Sequence, residues 1–378
     1  MFEQLEDINK IYSSNIQNRY LSNKYVGIEL TWKYSIKEIL LSLFLIIKLI
    51  LSIFFRSRKL NIQPNNSLAI SWSKIHENRI KDVQPEIKFT YFYNSRATTI
   101  FSLKEFSSLS IRKILLLAYN LENNNSQNLE SSQHYNTFWY RIIFAVDFYF
   151  VKVIINAYRP NEVYIAGLFD RLSILITSLA PSFNVRVHML QHGVLGKRSS
   201  MSLIKVDTFY YMYEFSKPFL KYVLDLKSGP TLIYLPQKSK NLGLSIFKGR
   251  PGINIAYAST HVRHNLNLQI IDSILAVMKL DVNLLIYTHP QENLSLYKKY
   301  QNVDNIFIFQ KERHINIQYV ISRFSTIGIE FYNSGIMPIF VNLDNVETDF
   351  LATNTFKVFT DTSDFETWMS YNLIETTN

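Results

Sequence analysis

The chain has 378 residues, 47% hydrophobic and 19% charged, and 40 Lys and Arg against 30 Asp and Glu give a formal net charge of +10. That length suits two domains rather than one, and the apolar content excludes bulk disorder and collagen-like structure. Cysteine is absent, which removes disulfides, thiolate metal sites and a cysteine nucleophile and fits a reducing compartment.

Residues 1–30 are polar and mixed, with no secretory signal pattern. Ile39–Phe55 then forms a 17-residue apolar run with Lys48 at its middle, followed by Arg56, Arg58 and Lys59. A bilayer span needs about 20 residues, and a central Lys costs it roughly 2.5–3.5 kcal/mol. On a helical wheel Lys37, Glu38, Ser42, Lys48, Ser52, Arg56 and Lys59 share an arc of roughly 140°. Residues 1–60 therefore read as a region with an amphipathic helix suited to a membrane surface; a core helix and a span with Lys48 snorkelling are the alternatives.

Past residue 65 strand-like and helix-like segments alternate. Ser67–Trp72 and Ile87–Tyr93 read as strands, Asn120–Tyr135 as a polar mobile loop, and Thr137–Ala157 as a helix. Glu162–Ala166 (strand), Arg171–Leu179 (helix), Val185–Leu190 (strand) and Val206–Tyr213 (strand) continue a βαβ rhythm that predicts a parallel sheet. Leu235–Gly252, rich in Pro, Gly and basic residues, reads as a linker. The rhythm then restarts with Ile253–Ala258 (strand), Leu266–Met278 (helix), Val282–Tyr287 (strand) and Asn305–Phe309 (strand). Ile317–Ile321 (strand), Ile327–Asn333 (helix), Pro338–Val341 (strand) and Phe356–Phe359 (strand) complete it. The expected class is α/β, with two doubly wound halves.

Ligands of open α/β sheets sit beyond the carboxyl ends of the strands, so the polar residues just after each strand are the candidates. Thr288-His289-Pro290 follows one strand; Pro290 fixes the turn, and Thr288 or His289 would face the crevice, where His289 can stabilise a departing phosphate. Ser325 or Thr326 is a good N-cap for the next helix, whose free N–H groups suit an anion. Gly328 there permits close approach, and Glu330 can accept from ribose hydroxyls. In a chain with only ten glycines, Gly193 and Gly196 open the loop after Leu190, where His192 projects from a strand end. Asp170, after Glu162–Ala166, reads equally as a helix N-cap and as a catalytic group. Thr260, His261, Arg263 and His264 read as a positive wall to a phosphate pocket or as solvated turn residues. Neither GxxxxGK[ST] nor GxGxxG is present, which disfavours triphosphate hydrolysis and dinucleotide redox, and no Asp-x-Asp triplet points to a metal.

With these motifs the chain resembles the GT-B class of glycosyltransferases. THPQE at 288–292 and STIGIE at 325–330 are similar to the His-Pro and Ser/Thr motifs of bacterial sialyltransferase-like enzymes. LQHGVLG at 190–196 and GLFD at 167–170 resemble capsule and lipopolysaccharide glycosyltransferases. The resemblance, over residues 160–345, implies two Rossmann-like domains facing a central cleft, 61–240 for the acceptor and 250–378 for the donor. It implies that His289 acts on the donor phosphate, that Thr260, Thr288, Pro290, Ser325, Thr326, Gly328 and Glu330 bind the nucleotide, and that Asp170, with His192 beside it, is the general base. The sialyltransferase acidic pair is replaced here by a single acid after Gly167.

The expected activity is metal-independent transfer of a sugar from a nucleotide donor to a surface polysaccharide or lipid-linked glycan. A CMP-linked nonulosonic acid is the favoured donor, and no metal cofactor is expected. The enzyme would be cytoplasmic and peripheral on the inner face of the plasma membrane. A teichoic-acid-type polyol-phosphate or sugar-phosphate transferase shares the fold and is the alternative. A non-enzymatic basic protein binding membrane or nucleic acid is the third reading; scattered basic residues, with no stripe interleaved with aromatics, disfavour nucleic acid.

Overall fold

The computed structural model describes residues 7–14, 36, 39–47, 67–71, 74–87, 89–91, 111–121, 137–167, 171–191, 195, 203–236, 245–260, 263–289, 292–310, 314, 316–323, 325–344 and 356–375. The chain divides into two compact units, the first Met1–His192 with Arg198–Leu235, the second Pro236–Asn378 with Gly193–Lys197.

In the first unit, the central β-rich runs become strands because they are buried on both faces, as a parallel sheet covered by helices requires. β1 (Ser67–Ser71) leads into α1 (Lys74–Val83), and β2 (Phe89–Tyr91) follows. Next come α2 (Ile111–Asn120), α3 (Phe138–Tyr158), β3 (Glu162–Ala166) and α4 (Arg171–Leu179). β4 (Arg186–Leu190), β5 (Thr208–Tyr211) and β6 (Thr231–Tyr234) complete the sheet, whose order is β2-β1-β3-β4-β5-β6 with every neighbouring pair parallel. The connection reverses direction between β1 and β3. α3 starts where the Thr137 hydroxyl accepts from the Tyr140 N–H at 3.1 Å, and it stops at Arg159, held left-handed at φ 46°. It packs against α2 and α4. The helical residues 7–14 belong to this unit, with the buried Tyr12 ring edge-on to Phe144 at 5.0 Å.

Residues 39–47 are helical, but they turn the other way from the wheel's expectation. Ser42, on the polar arc, is fully buried, and Leu40, Leu43, Phe44 and Ile47 are exposed. Ser42 tolerates burial because its hydroxyl donates to the Ile39 carbonyl at 2.9 Å, which satisfies it within the helix. No helix among the described residues is long and apolar enough to cross a membrane. Lys48 and the basic cluster 56–59 lie outside the described residues, as does the expected loop Asn120–Tyr135 past Leu121; its first residue, Asn120, is instead the last of α2.

The second unit holds β7 (Ile253–Ala258), α5 (His264–Val277), β8 (Val282–Tyr287), β9 (Ile306–Phe309) and β10 (Tyr319–Ser322). α6 (Thr326–Asn333), β11 (Pro338–Val341), β12 (Lys357–Phe359) and α7 (Thr362–Glu375) follow. The order β12-β11-β10-β7-β8-β9, parallel throughout, is the doubly wound arrangement, and the winding reverses between β7 and β10. One face of the sheet packs Ile255, Leu284, Ile286 and Ile321 against Ile270 and Ile274 of α5 and Phe365 of α7. The other packs Ala256, Leu285, Tyr287 and Val320 against Ile327 and Phe331 of α6. Both units are thus Rossmann-like, in line with the α/β class read from the sequence.

The expected linker Leu235–Gly252 is fastened to the second unit over its final part. Ser245 bridges to His314, and Phe247 exchanges hydrogen bonds with the Asn316 side chain at 2.8 and 3.1 Å. Its ring meets Phe307 edge-on at 4.7 Å. Gly252 ends the segment at φ 145°, where an added Cβ would stand 1.9 Å from the Asp281 carbonyl oxygen. Backbone cannot yield as a flexible side chain does, so Gly252→Ala is expected to destabilise the protein by about 2 kcal/mol or more. Urea unfolding of the variant beside the parent checks this, and equal midpoints refute it.

Candidate functional site

The doubly wound order directs attention to the carboxyl ends of β7 and β10 in the second unit, where the chain changes winding direction. Polar side chains gather there. β7 runs into Ser259 and Thr260, both buried, and β10 runs into Arg323. Ser322, the last residue of β10, donates to the Ala258 carbonyl at 3.2 Å and accepts from the Ser325 N–H at 2.9 Å. Ser325 then caps α6, its hydroxyl accepting from the Ile327 N–H at 3.3 Å. The switch point is thereby stitched shut along the backbone before any ligand is considered.

Arg323 is fully buried. Its guanidinium donates to the Thr260 hydroxyl at 3.0 Å and to Asp344 Oδ2 at 2.6 Å. Arg263, left-handed at φ 52°, donates to the same Asp344 oxygen at 2.9 Å. Burial pulls the Arg323 guanidinium below its ordinary value, and the Asp344 carboxylate opposes that shift. A lone buried cation would be too costly; the pair is what allows it there.

Beside this lies a second buried charge centre. Glu292, whose side chain has no exposure, is the focus of a set of donors. Tyr297 donates its hydroxyl to Oε1 at 2.9 Å and Asn267 its amide at 3.0 Å. The His289 N–H donates to Oε2 at 2.7 Å, and Ser259 donates to the same oxygen. His264 Nδ1, half exposed at the start of α5, lies 3.3 Å from Oε1. Burial, above all, holds the Tyr297 phenol well above its ordinary value, so it stays protonated and able to donate. The Glu292 N–H in turn donates to the His289 carbonyl at 2.9 Å, so the turn after β8 is closed reciprocally, as in a capping box. Asn267 joins both loops. Its amide donates to the Thr260 carbonyl at 2.6 Å, and its Oδ1 accepts from the Tyr257 hydroxyl at 3.0 Å.

The predicted residues distribute as follows. Thr260, Thr288, His289, Ser325, Thr326, Gly328 and Glu330 all belong to the second unit and follow β7, β8 or β10. Thr288 is fully buried, and its hydroxyl donates to the Phe309 carbonyl at 3.3 Å, which makes it a brace between strands. Gly328 faces Ser322: an added Cβ would come within 3.1 Å of the Ser322 Cβ, so the close approach it permits is helix against strand. Asp170, His192 and Pro290 lie outside the described residues. Among the described residues no group of three His, Cys, Asp or Glu is placed to hold a metal ion.

Sequence reasoning missed Arg323, Asn267, Asp344 and the anchoring role of Glu292. Arg323 carried a usable signal, being a cation directly after a strand and two residues before an N-cap. It also missed His76 in the first unit, which lies buried in the opening turn of α1 just beyond β1. Burial first, then the nearby Arg79 guanidinium, push the His76 imidazole down to about 4. Arg79 donates to the Gln191 carbonyl at 3.0 Å, and buried Gln191 is fixed further by Ser216 and the Met212 N–H. These residues hold the carboxyl end of β4, directly before His192.

No protein-family model matches the chain, and no curated protein matches it in sequence. Among solved structures the chain is similar to the UDP-GlcNAc 2-epimerase from Neisseria meningitidis, at 13% identity and TM-score 0.47, covering 82% of this chain and 91% of that one. It is also similar to the wall teichoic acid polymerase TagF, at 10% identity and TM-score 0.45 over 92% and 89% of the two chains. MurG from Acinetobacter baumannii is a third, at 10% identity and TM-score 0.45 over 84% and 91%. The fold assignment rests on the strand orders given above.

Glu292→Gln turns one acceptor oxygen into an N–H facing donors, so it is expected to cost about 1–3 kcal/mol of stability and to loosen the His289 turn. Urea unfolding measures this; an unchanged midpoint would show that the donors do not depend on the carboxylate. The His76 shift predicts a pH dependence. The folded value lies near 4 and the unfolded value at 6.5, so the contribution is complete above pH 6.5 and lost as pH falls towards 4. The loss is on the order of 3 kcal/mol. Comparing urea midpoints of the parent and His76→Gln at several pH values isolates it; parallel pH profiles would refute the assignment.

Proposed function

We propose that the chain is a glycosyltransferase of the GT-B type whose second unit binds a nucleotide-activated sugar. The observation that carries this reading is the convergence at the switch point: Thr260, the buried Arg323 and the Ser325-capped start of α6 follow neighbouring strands β7 and β10. A helix N-terminus with a cation behind it suits a phosphate, and the switch point of a doubly wound sheet is where such a ligand fits. The motif resemblance favours a CMP-linked donor and a surface polysaccharide or lipid-linked glycan as acceptor.

In this reading the reaction is a direct displacement. Asp170 or His192 takes the proton of the acceptor hydroxyl as its oxygen bonds to the anomeric carbon. The bond from that carbon to the nucleotide phosphate breaks, and His289 with the start of α6 stabilises the charge left on the phosphate. Glu330 accepts from the ribose. Glu292 takes no part in bond changes; it fixes the backbone from which His289 projects.

Calorimetry of the full chain with CMP, CDP, UDP and GDP tests the donor site, with heat expected from a pyrimidine nucleotide. Heat from none of them removes it. In a donor screen read by nucleotide release and product mass, His289→Ala and Asp170→Ala are each expected to lower turnover about 100-fold or more with the fold intact. A product carrying a new phosphodiester would reassign the reaction to polyol-phosphate transfer.

A further inference from the structure

The helical residues 39–47 present an apolar stripe to solvent. Leu40 is 62% and Ile47 54% exposed, with Leu43 and Phe44 between them and Ile36 one turn earlier. At about 100° per residue these positions share an arc of roughly 100°. The opposite side, through Ser42 and Leu45, is buried in the protein. No charged residue occurs between 39 and 47, so the stripe is purely apolar. The same unit carries a second outward stripe on α2. There Arg112, Leu115, Leu116 and Tyr119 stand at positions i, i+3, i+4 and i+7, with Lys113 alongside, and all are exposed. The inner face of α2, Ile114, Leu117 and Ala118, is buried. Exposed leucines with cations at one end and a tyrosine at the other match the layered chemistry of a headgroup region.

We propose that the first unit docks on an anionic lipid bilayer through the outward stripe of residues 39–47, with α2 as a second contact. Charge decides between this occupant and a second copy of the chain. Two copies at +10 repel each other, whereas an anionic surface attracts each one. The apolar run Ile39–Phe55 has 17 residues with Lys48 at its middle, short of the about 20 a span needs, which favours an interfacial contact. The proposal stands apart from the transfer reaction, since nucleotide binding is measured without lipid.

The test is sedimentation of the full chain with vesicles of phosphatidylcholine alone and of equal parts phosphatidylcholine and phosphatidylglycerol. The parent is expected to bind the mixed vesicles at least about tenfold more tightly than the neutral ones. Leu40→Glu, Leu43→Glu and Ile47→Glu combined are expected to weaken binding to mixed vesicles by about tenfold or more, with an unchanged thermal transition because all three side chains are exposed. Should the triple variant unfold, Leu40→Asn and Ile47→Asn, each alone, are expected to weaken binding about threefold. Failure of the parent to sediment with mixed vesicles, equal binding to both vesicle types, or variants that bind like the parent each overturn the proposal. So does a dimer, seen by light scattering, that the triple variant dissociates while vesicle binding is unaffected.

Discussion

A carboxylate without access to water organises the polar end of the second unit. Glu292 sits after β8, and a hydroxyl from the β7 end, an amide from α5, a phenol from the Leu294–Tyr300 turn and its own loop's N–H at His289 all point at it. A buried carboxylate is tolerable only when its lone pairs are met by donors, and donors buried around it are equally in need of an acceptor. Each element therefore depends on the others being in register. The loops after β7 and β8 cannot shift separately, because Asn267 grips the Thr260 carbonyl with the same amide that reaches Glu292. Rigid loops on a parallel sheet are the usual support for chemistry, since a displacement near 1 Å already costs a binding geometry dearly.

The neighbouring Arg323–Asp344 pair follows the same logic at the next pair of strands. Its cation is desolvated and then compensated, and Thr260 ties it to the first network through Asn267. The two buried charge centres are thus one hydrogen-bonded assembly across the carboxyl ends of β8, β7 and β10. Polar groups packed there add little net stability compared with well-packed apolar ones. Their concentration at the winding reversal, at the opposite end of β7 and β8 from the buried Asn254–Asn283 pair, is the kind of local departure from good core design found at functional regions.

Much of the fold was legible because parallel strands buried on both faces leave continuous apolar runs. Ile253–Ala258, Val282–Tyr287 and Pro338–Val341 were read with their observed ends, and Ser325 was one of the two N-cap residues the sequence offered. What escaped notice was set by tertiary context. α1, with sequence KIHENRIKDV, is too polar to announce itself, yet its Ile80 is fully buried in the first unit's core. β6 lies at the sheet edge with all four residues exposed, so no buried face marks it. The direction of the 39–47 helix escaped because a wheel ranks polarity, while Ser42 meets its own hydrogen-bonding need and can face inward. Thr288 and Gly328 were placed after the right strands, but strand position alone does not say whether a residue faces a ligand or the neighbouring strand.

How a phosphate would be held follows from where the positive groups have already been spent. Asp344 carries one negative charge against the two guanidinium groups of Arg323 and Arg263, so one net positive charge remains, with Arg323 buried and Arg263 half exposed. Beside that charge, recognition in the proposed site falls on the Thr326 N–H at the start of α6, since those of Ile327 and Gly328 already donate to Ser325, on the Ser325 hydroxyl, which accepts from Ile327 and still has its own proton to give, and on the imidazole of His289. Donors arranged in advance discriminate by geometry as well as by charge, which suits a site that must hold a nucleotide phosphate while the bond to the sugar breaks. The rigidity imposed by Glu292 is what would make such donors effective, because dipoles that need no reorientation stabilise developing charge where mobile ones cannot.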